Sequence, residues 1–127
     1  MMDEQKLLGL AREMLPFAYA PYSGYRVGAA LLTTDGKVFK GVNVENVSLG
    51  LTICAERVAL TAAVAAGHRS FSLLAIAAEG ESRPLPCGAC RQMLLEFSRE
   101  MKVLVAGEKG EPHVFELKDL LPHPFTL

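Results

Sequence analysis

Apolar residues near the start of the chain recur at the spacing of one helical face. They are Leu7, Leu8, Ala11, Met14, Leu15 and Ala18. Pro16 lacks an amide hydrogen and is expected to kink or split this helix, and Pro21 is expected to end it. The pattern therefore predicts an opening amphipathic helix followed by irregular structure.

Five shorter segments have the composition of β-strands. The predicted strands cover residues 26–33, 37–43, 71–78, 102–106 and 113–117. Residues 34–37 read Thr-Asp-Gly-Lys, a turn composition that predicts a hairpin between the first two strands. The third strand is a continuous apolar run, which is typical of a strand covered on both faces.

Two more helices are predicted between the strands. Thr52 is the expected N-cap of a helix that runs to Ala66 and is closed by Gly67. Its only charged residues are Glu56 and Arg57, so burial around most of its circumference is expected. Residues 87–99 predict a second helix, and one side of it carries Ala89, Cys90, Met93, Leu94 and Phe97. Alternating strands and helices imply an α/β layered domain with partly parallel strand pairing.

The composition limits the class of protein. A chain of 127 residues fits a single domain, residues 1–127. Its 13 basic and 14 acidic side chains do not form a basic stripe, so no nucleic-acid partner is expected. Half of the residues are apolar, which hints at surface buried against other copies of the chain.

The location of the protein is also constrained. The chain has no charged-then-apolar leader and no apolar run near the roughly 20 residues of a membrane span, so no membrane partner is expected. Its three cysteines, an odd number, cannot all pair internally. Reduced cysteines and a cytoplasmic location are the simplest interpretation.

The three cysteines suggest a metal site. Cys54 precedes Ala-Glu, and Cys87 and Cys90 form a C-x-x-C pair. Both groups lie at predicted helix N-termini, where unpaired backbone N–H groups stabilise the thiolate that binds metal. Three protein ligands with one open position are typical of catalytic zinc, whereas structural zinc usually has four protein ligands. One Zn²⁺ per chain is expected.

Glu56 and Arg57 lie beside this predicted site. A carboxylate in an apolar helix is costly without a partner, and a water molecule on zinc beyond the helix end is one such partner. Three thiolates would weaken Zn²⁺ as a Lewis acid. Arg57 can offset this by donating hydrogen bonds to the sulfurs, and the alternative for Arg57 is a surface ion pair.

At these residues the chain resembles the small, homotetrameric cytidine deaminases. The matching segments are Pro21-Tyr22-Ser23, Val27-Gly28-Ala29-Ala30, Asn43-Val44-Glu45-Asn46, Cys54-Ala55-Glu56-Arg57, Pro86-Cys87-Gly88-Ala89-Cys90-Arg91-Gln92 and Leu120-Leu121-Pro122. They occur in family order from about residue 20 to the C-terminus. The resemblance implies a three-layer α/β/α domain with a mixed five-stranded sheet, and hydrolysis of cytidine or deoxycytidine in pyrimidine salvage.

The resemblance also implies roles for single residues. Glu56 would take a proton from the water on zinc, deliver it to N3 of the base, and protonate the amine that departs after attack at C4. Asn43 and Glu45 match residues that hydrogen-bond the ribose hydroxyl. Asn46 and Ala55 fall within the same substrate-binding segments.

Two aromatic residues and one difference from the family pattern concern the edge of the predicted site. Tyr25 matches an aromatic position that packs on the pyrimidine, where phenylalanine is more familiar. Phe125 resembles a C-terminal aromatic residue that reaches a neighbouring subunit's site, so sites completed by neighbouring chains are expected. Leu49 replaces a tyrosine that similar enzymes often have, which leaves the preference between substrates open.

Several other interpretations remain open. The C-x-x-C pair alone also fits a thioredoxin-type redox centre. A closed structural zinc site would need a fourth ligand from His68, His113 or His123. A polynucleotide editor or a deaminase of a modified nucleoside would use similar chemistry. Asn43 and Glu45 could instead stabilise a turn, and Tyr25 and Phe125 could cover a core.

Overall fold

The computed structural model describes residues 2–127 and contains one five-stranded sheet. The strands are β1 Val27–Thr33, β2 Val38–Val42, β3 Phe71–Ala78, β4 Lys102–Ala106 and β5 His113–Glu116. Each predicted strand is confirmed to within one residue at either end. Their order across the sheet is β2-β1-β3-β4-β5.

Within residues 2–127, four α-helices and two 3₁₀ turns accompany the strands. The helices are α1 Glu4–Glu13, α2 Ala55–Ala65, α3 Gly88–Leu95 and α4 Leu117–Leu120. The 3₁₀ turns cover Leu15–Phe17 and Leu49–Leu51. The first 3₁₀ turn contains Pro16 and follows directly after α1, which confirms that the opening helical pattern is split near that proline.

The sheet is mixed, as expected. β1 pairs antiparallel with both β2 and β3, and β4 pairs antiparallel with β5. β3 and β4 are parallel, because α3 carries the chain back to the edge from which β3 started. The register places Leu74 opposite Val103 and Ile76 opposite Val105.

Helices cover both faces of the sheet, so the α/β/α layering is confirmed. On β3, Leu74 and Ile76 pack with α2 and α3, whereas Leu73 and Ala75 pack with α1. This alternation follows from the two-residue period of a strand. It explains why β3 is apolar at almost every position.

The start of α2 differs from the prediction. Ile53 exchanges backbone hydrogen bonds with Val44, so the chain remains extended through Thr52 and Ile53. The N-cap is therefore Cys54 and not Thr52, and its side chain makes no capping hydrogen bond. The other end agrees, since Gly67 follows α2 with φ of 97°.

The third helix is shorter than the predicted range of residues 87–99. It ends at Leu95, and the following turn brings the Ser98 hydroxyl to the Phe71 amide, which donates to it at 2.7 Å. This hydrogen bond satisfies the first amide of β3. The tertiary contact therefore competes with continuation of the helix.

One face of α2 is exposed in the single chain. The helix buries Ala55, Glu56, Ala59, Leu60 and Ala63. Its outer face carries Thr61, Ala62 and Ala65, which are exposed. The expectation of burial around most of the circumference is therefore wrong for the single chain. Among residues 2–127, no helix combines the length and the apolar character that crossing a membrane requires.

Candidate metal centre and active site

The N-termini of α2 and α3 bring the three cysteines together. Cys54 is the N-cap of α2, Cys87 is the N-cap of α3, and Cys90 lies in the first turn of α3. The Val44–Ile53 bridge holds the backbone before Cys54, and the Arg91 side chain donates to the Pro86 carbonyl at 2.7 Å. Backbone contacts therefore fix the approach to both caps.

The sulfur geometry fits a tetrahedral zinc site. The Sγ atoms of Cys54 and Cys87 are 3.8 Å apart, and those of Cys87 and Cys90 are 3.5 Å apart. Zinc–sulfur bonds of about 2.3 Å at tetrahedral angles place sulfurs about 3.8 Å apart. The described part of the chain brings no histidine or carboxylate oxygen into this group. Three ligands with an open fourth position are therefore the arrangement expected for catalytic zinc.

The thiol environment favours a thiolate at Cys54. A hydrogen bond from Cys90, together with the neighbouring Arg57 guanidinium and Cys87, lowers the pKa of Cys54 to about 5 against the opposing effect of burial. The pKa of Cys90 is raised, first because its thiol donates to Cys54 and then because it is buried. Binding of a divalent cation at this point would release the remaining thiol protons.

Glu56 is almost completely buried, with 5% of its surface exposed. Burial raises the pKa of its carboxyl group to about 7, and the negative charge on Cys54 acts in the same direction. The side chain lies in the first turn of α2, two residues after the Cys54 ligand. A carboxyl group that titrates near neutral pH can both accept and donate a proton.

Arg57 lies against the sulfurs. One terminal nitrogen of its guanidinium is 3.9 Å from Cys54 Sγ and 3.4 Å from the Thr52 carbonyl oxygen. Its Nε atom is buried without a hydrogen-bond partner. The pKa of Arg57 is raised, chiefly by the hydrogen bond to Cys54. The geometry therefore favours a contact with the metal ligands over a surface ion pair.

A cavity of about 480 Å³ opens above these groups. Its lining residues are Tyr25, Val27, Asn43, Thr52, Cys54, Ala55, Glu56, Arg83, Pro84, Leu85 and Cys87. The lining is mostly apolar with a few convergent polar groups, the usual character of a site for a small molecule. Four of the residues assigned to the substrate or catalysis, Tyr25, Asn43, Ala55 and Glu56, meet in this cavity.

Asn43 is 8% exposed and joins two segments at the cavity wall. Its side-chain oxygen accepts a hydrogen bond from the Val27 amide at 2.9 Å, and its side-chain nitrogen donates to the Tyr25 carbonyl at 2.8 Å. An amide oxygen accepts two hydrogen bonds and an amide nitrogen donates two, so capacity for a ligand remains.

Glu45 and Asn46 do not line this cavity in the single chain. The Glu45 carboxylate accepts hydrogen bonds from the Tyr22 amide at 2.9 Å, the Ser23 amide at 3.1 Å and the Ser23 hydroxyl. Asn46 accepts a hydrogen bond from the Ser48 amide at 2.9 Å. Both side chains therefore stabilise turns here, which for Glu45 is the alternative interpretation.

Phe125 and Leu49 also lie outside the cavity. Phe125 is 73% exposed, and its backbone exchanges two 3.0 Å hydrogen bonds with the Gln92 side chain. Leu49 begins an exposed 3₁₀ turn. Neither the Phe125 nor the Leu49 side chain covers a core within the chain.

Sequence reasoning missed one wall of the cavity. Arg83, Pro84 and Leu85 lie in the connection between β3 and α3 and line the cavity. The two prolines that flank Leu85 were the available signal, because they stiffen the chain directly before a ligand. Thr52 was expected as a helix cap and lines the cavity instead.

Comparison with known proteins agrees with this geometry. Residues 1–107 match the family model described as the cytidine and deoxycytidylate deaminase zinc-binding region. The chain is 43% identical to the cytidine deaminase of Sporosarcina psychrophila over 126 residues, with 98% of this chain and 93% of the relative covered. It is 42% identical to the cytidine deaminase of Mycobacterium tuberculosis, covering 99% and 92%.

The fold is shared with solved structures. The crystal structure of cytidine deaminase from Burkholderia pseudomallei superposes with a TM-score of 0.93 at 46% identity, over 98% of this chain and 100% of that one. The Mycobacterium tuberculosis structure gives a TM-score of 0.82 at 40% identity, over the whole of both chains. The chain therefore belongs to the cytidine and deoxycytidylate deaminase family, a family of zinc-binding hydrolases.

Proposed function

We propose that residues 1–127 form one catalytic domain that hydrolyses cytidine to uridine and ammonia. The observation that carries this proposal is the position of buried Glu56, which shares one cavity with Cys54 and Cys87. Cys90 completes the group of three sulfurs. The names of the relatives supply the substrate class, and the cavity volume of about 480 Å³ suits a nucleoside.

Cys54, Cys87 and Cys90 would hold one Zn²⁺ per chain. A zinc ion in this position supplies hydroxide at neutral pH, because it lowers the pKa of a water molecule to about 7. Arg57 donates toward Cys54 and so offsets part of the negative charge of three thiolates.

Glu56 moves the protons. Its carboxylate accepts the proton that the water gives up and passes it to N3 of the base, which makes C4 more electrophilic. The hydroxide oxygen adds to C4, and the Glu56 carboxylate takes the second proton from that oxygen and delivers it to the exocyclic nitrogen. The C–N bond then breaks as the C4 carbonyl forms, and the nitrogen leaves as ammonia. A pKa near 7 supports both directions of transfer at neutral pH.

Residues in and beside the cavity would bind the nucleoside. Tyr25 packs on the pyrimidine and Ala55 supports it from the start of α2, while Asn43, Glu45 and Asn46 contribute to sugar binding. Glu45 would exchange its turn contacts for the ribose hydroxyl. The proposed sugar contact is to a hydroxyl group that ribose and deoxyribose share, so we include deoxycytidine as a substrate. We also propose pyrimidine salvage in the cytoplasm as the setting.

We also propose that the enzyme is a homotetramer. Residues 17–19 and 44–53, which two backbone bridges join, carry seven exposed apolar side chains, defined here as the apolar surface. They are Phe17, Tyr19, Val44, Val47, Leu49, Leu51 and Ile53. Exposed apolar patches of this kind mark protein contacts. The surface is continuous with Thr52 and Cys54 of the cavity, so a neighbouring chain would lie beside each site, and Phe125 would reach a neighbour's cavity.

The first experiment measures zinc per chain and follows cytidine absorbance with the purified protein. The wild-type chain is expected to hold one zinc and to convert cytidine to uridine. Glu56→Ala is expected to keep the zinc and to lose activity by at least about 10²- to 10⁴-fold, because it removes the proton carrier. Glu13→Ala, which removes an exposed glutamate at the end of α1, is the matched control and should retain full activity.

Other outcomes would select a different function. A chain that binds one zinc and leaves cytidine unchanged would be a structural zinc domain or a deaminase of a modified nucleoside. Disulfide reduction without metal would identify a redox protein. Full activity in Glu56→Ala would refute the assigned proton carrier.

A further inference from the structure

A hydrogen bond links two walls of the cavity. Tyr25 lines one wall, just before β1, and Arg83, Pro84 and Leu85 line the other. This second wall is called the Ser82 wall, because Ser82 directly precedes its lining residues in the connection between β3 and α3. The Tyr25 and Ser82 hydroxyl oxygens are 2.7 Å apart. This distance is normal for a hydrogen bond between hydroxyl groups. The two residues are 57 positions apart in the chain.

The Ser82 wall is stiff and is fixed at its far end. Pro84 and Pro86 each have a restricted φ angle, and each restricts the residue before it. Arg91 donates to the Pro86 carbonyl at 2.7 Å, and Cys87 follows directly. The backbone of this wall is therefore conformationally restricted up to Cys87, a candidate metal ligand.

The near end of this wall depends on Ser82. Among the residues that the structure describes, the bond to Tyr25 is the only hydrogen bond from positions 82–85 to another segment of the chain. The remaining contacts there are local, from the Ser82 hydroxyl to the Glu79 carbonyl at 3.3 Å and from the Leu85 amide to the Arg83 carbonyl at 2.9 Å. Loss of the Tyr25 bond would release this end of the wall.

Tyr25 itself is held at its backbone. Its amide donates to the Ser23 hydroxyl at 3.0 Å, and its carbonyl accepts from the Asn43 side chain at 2.8 Å. The same Ser23 hydroxyl donates to Glu45. The Tyr25 hydroxyl therefore connects a fixed wall, which carries the proposed sugar contacts, to the wall that carries Arg83, Pro84 and Leu85.

We propose that the Tyr25–Ser82 hydrogen bond sets the width of the nucleoside cavity, and that Ser82 is a positioning residue for substrate binding. This inference rests on the proposed function for its substrate. It assigns a purpose to the tyrosine hydroxyl, which stacking on a pyrimidine does not need, and to a serine that has no part in the chemistry.

The kinetic test uses Tyr25→Phe, Ser82→Ala and the double variant, all loaded with zinc. Each single variant is expected to raise the KM for cytidine about 3- to 10-fold with kcat within about twofold, because the bond shapes binding and not the chemical step. The double variant is expected to match the single variants, since both remove the same bond. Ser82→Thr, which restores a hydroxyl, should recover most of the loss.

The controls separate this role from a structural one. Ser72→Ala removes an exposed serine on β3, away from the cavity, and should leave KM unchanged. Zinc content and Tm should be equal in all variants. Additive effects of the two substitutions, or a fall in kcat at unchanged KM, would overturn the proposal.

A second measurement does not depend on activity. Amide hydrogen exchange of residues 81–85 is expected to accelerate equally in Tyr25→Phe and Ser82→Ala, with β3 unchanged. If the wild-type chain fails to act on cytidine while exchange still accelerates, the proposed function is wrong and the link between the walls stands. Unchanged exchange would refute the link itself.

Discussion

At the scale of single residues, two glutamates of the candidate site have opposite environments. Glu56 is buried beside Cys54, and its pKa is raised to about 7, first by desolvation. Glu45 is exposed, and hydrogen bonds led by the Ser23 hydroxyl lower its pKa. The same type of side chain is therefore suited to the proposed proton transfer at position 56 and to accepting hydrogen bonds as a carboxylate at position 45.

Ser23→Ala tests the environment of Glu45. Loss of the hydroxyl is expected to raise the pKa of Glu45 toward its ordinary value of 4.5, because the largest cause of the lowering is removed. The pKa of Glu45 is lower in the folded chain than in the unfolded chain, so its charged carboxylate stabilises the fold above the unfolded pKa. This stabilisation is lost as pH falls through the folded pKa. The variant should therefore lose less stability on acidification below pH 4.5 than the wild type.

NMR titration of the side-chain carboxyl groups is the measurement. Asp35, whose pKa is lowered first by the Thr33 hydroxyl, lies in a different turn and provides the internal reference. Its pKa should not move in Ser23→Ala. An unchanged pKa of Glu45 would show that the serine hydroxyl does not hold the carboxylate.

At the scale of secondary structure, α2 lies directly on the hairpin of β1 and β2. Gly41 of β2 makes this approach possible, because a Cβ atom there would lie 2.4 Å from the Ala55 carbonyl oxygen and 2.6 Å from the Ala59 amide nitrogen. These are backbone atoms, which cannot move without shifting the helix. The first turn of α2 carries Glu56, so a small residue in a strand positions the site.

Gly41→Ala is expected to destabilise the fold by about 1–3 kcal/mol through overpacking, and to weaken zinc binding by displacing Cys54. Urea unfolding and zinc competition with a chelator measure the two effects. Gly9→Ala is the matched control, since a Cβ atom at this position in α1 meets nothing within 4 Å. That control should stabilise the chain by about 0.5–1 kcal/mol, because alanine is the better helix former. Wild-type stability of Gly41→Ala would contradict the close packing.

At the scale of the whole molecule, the apolar surface is exposed to solvent in the single chain. Its seven side chains come from the segments before Tyr22 and after Val42, which are joined by the bridges of Val44 with Tyr19 and Ile53. Leu51 is 66% exposed, although its neighbour Thr52 lines the cavity. Covering this surface with another copy would therefore also support the cavity wall.

Leu51→Lys tests the assembly. A buried, unpaired ammonium is costly, so the variant is expected to dissociate under conditions in which the wild type sediments at four times the 13.7 kDa chain mass. Val114→Lys, at an exposed apolar position on β5 outside the apolar surface, should remain tetrameric. A wild-type chain that sediments as a monomer at micromolar concentration would refute the tetramer.

Local spacing in the sequence was sufficient for the strands and for the proximity of two of the three cysteines. The apolar strand segments and the helical spacing of Leu7, Leu8 and Ala11 predicted an α/β layered domain, because strand and helix periods are properties of the backbone. Cys87 and Cys90 are three residues apart at a helix start, so their proximity is also local.

Long-range packing decided the remainder. Cys54 meets Cys87 across 33 residues only because α2 and α3 lie on the same face of the sheet. Because Ile53 pairs with Val44 as in a strand, Thr52 is not the helix cap that the sequence predicted. Hydrogen bonds from the turn at Ser23 hold the Glu45 side chain outside the cavity. The Arg83–Leu85 wall has no periodic pattern, so only its tertiary contacts reveal it. Propensity and spacing act over a few residues, whereas the shape of the cavity depends on contacts between segments far apart in the chain.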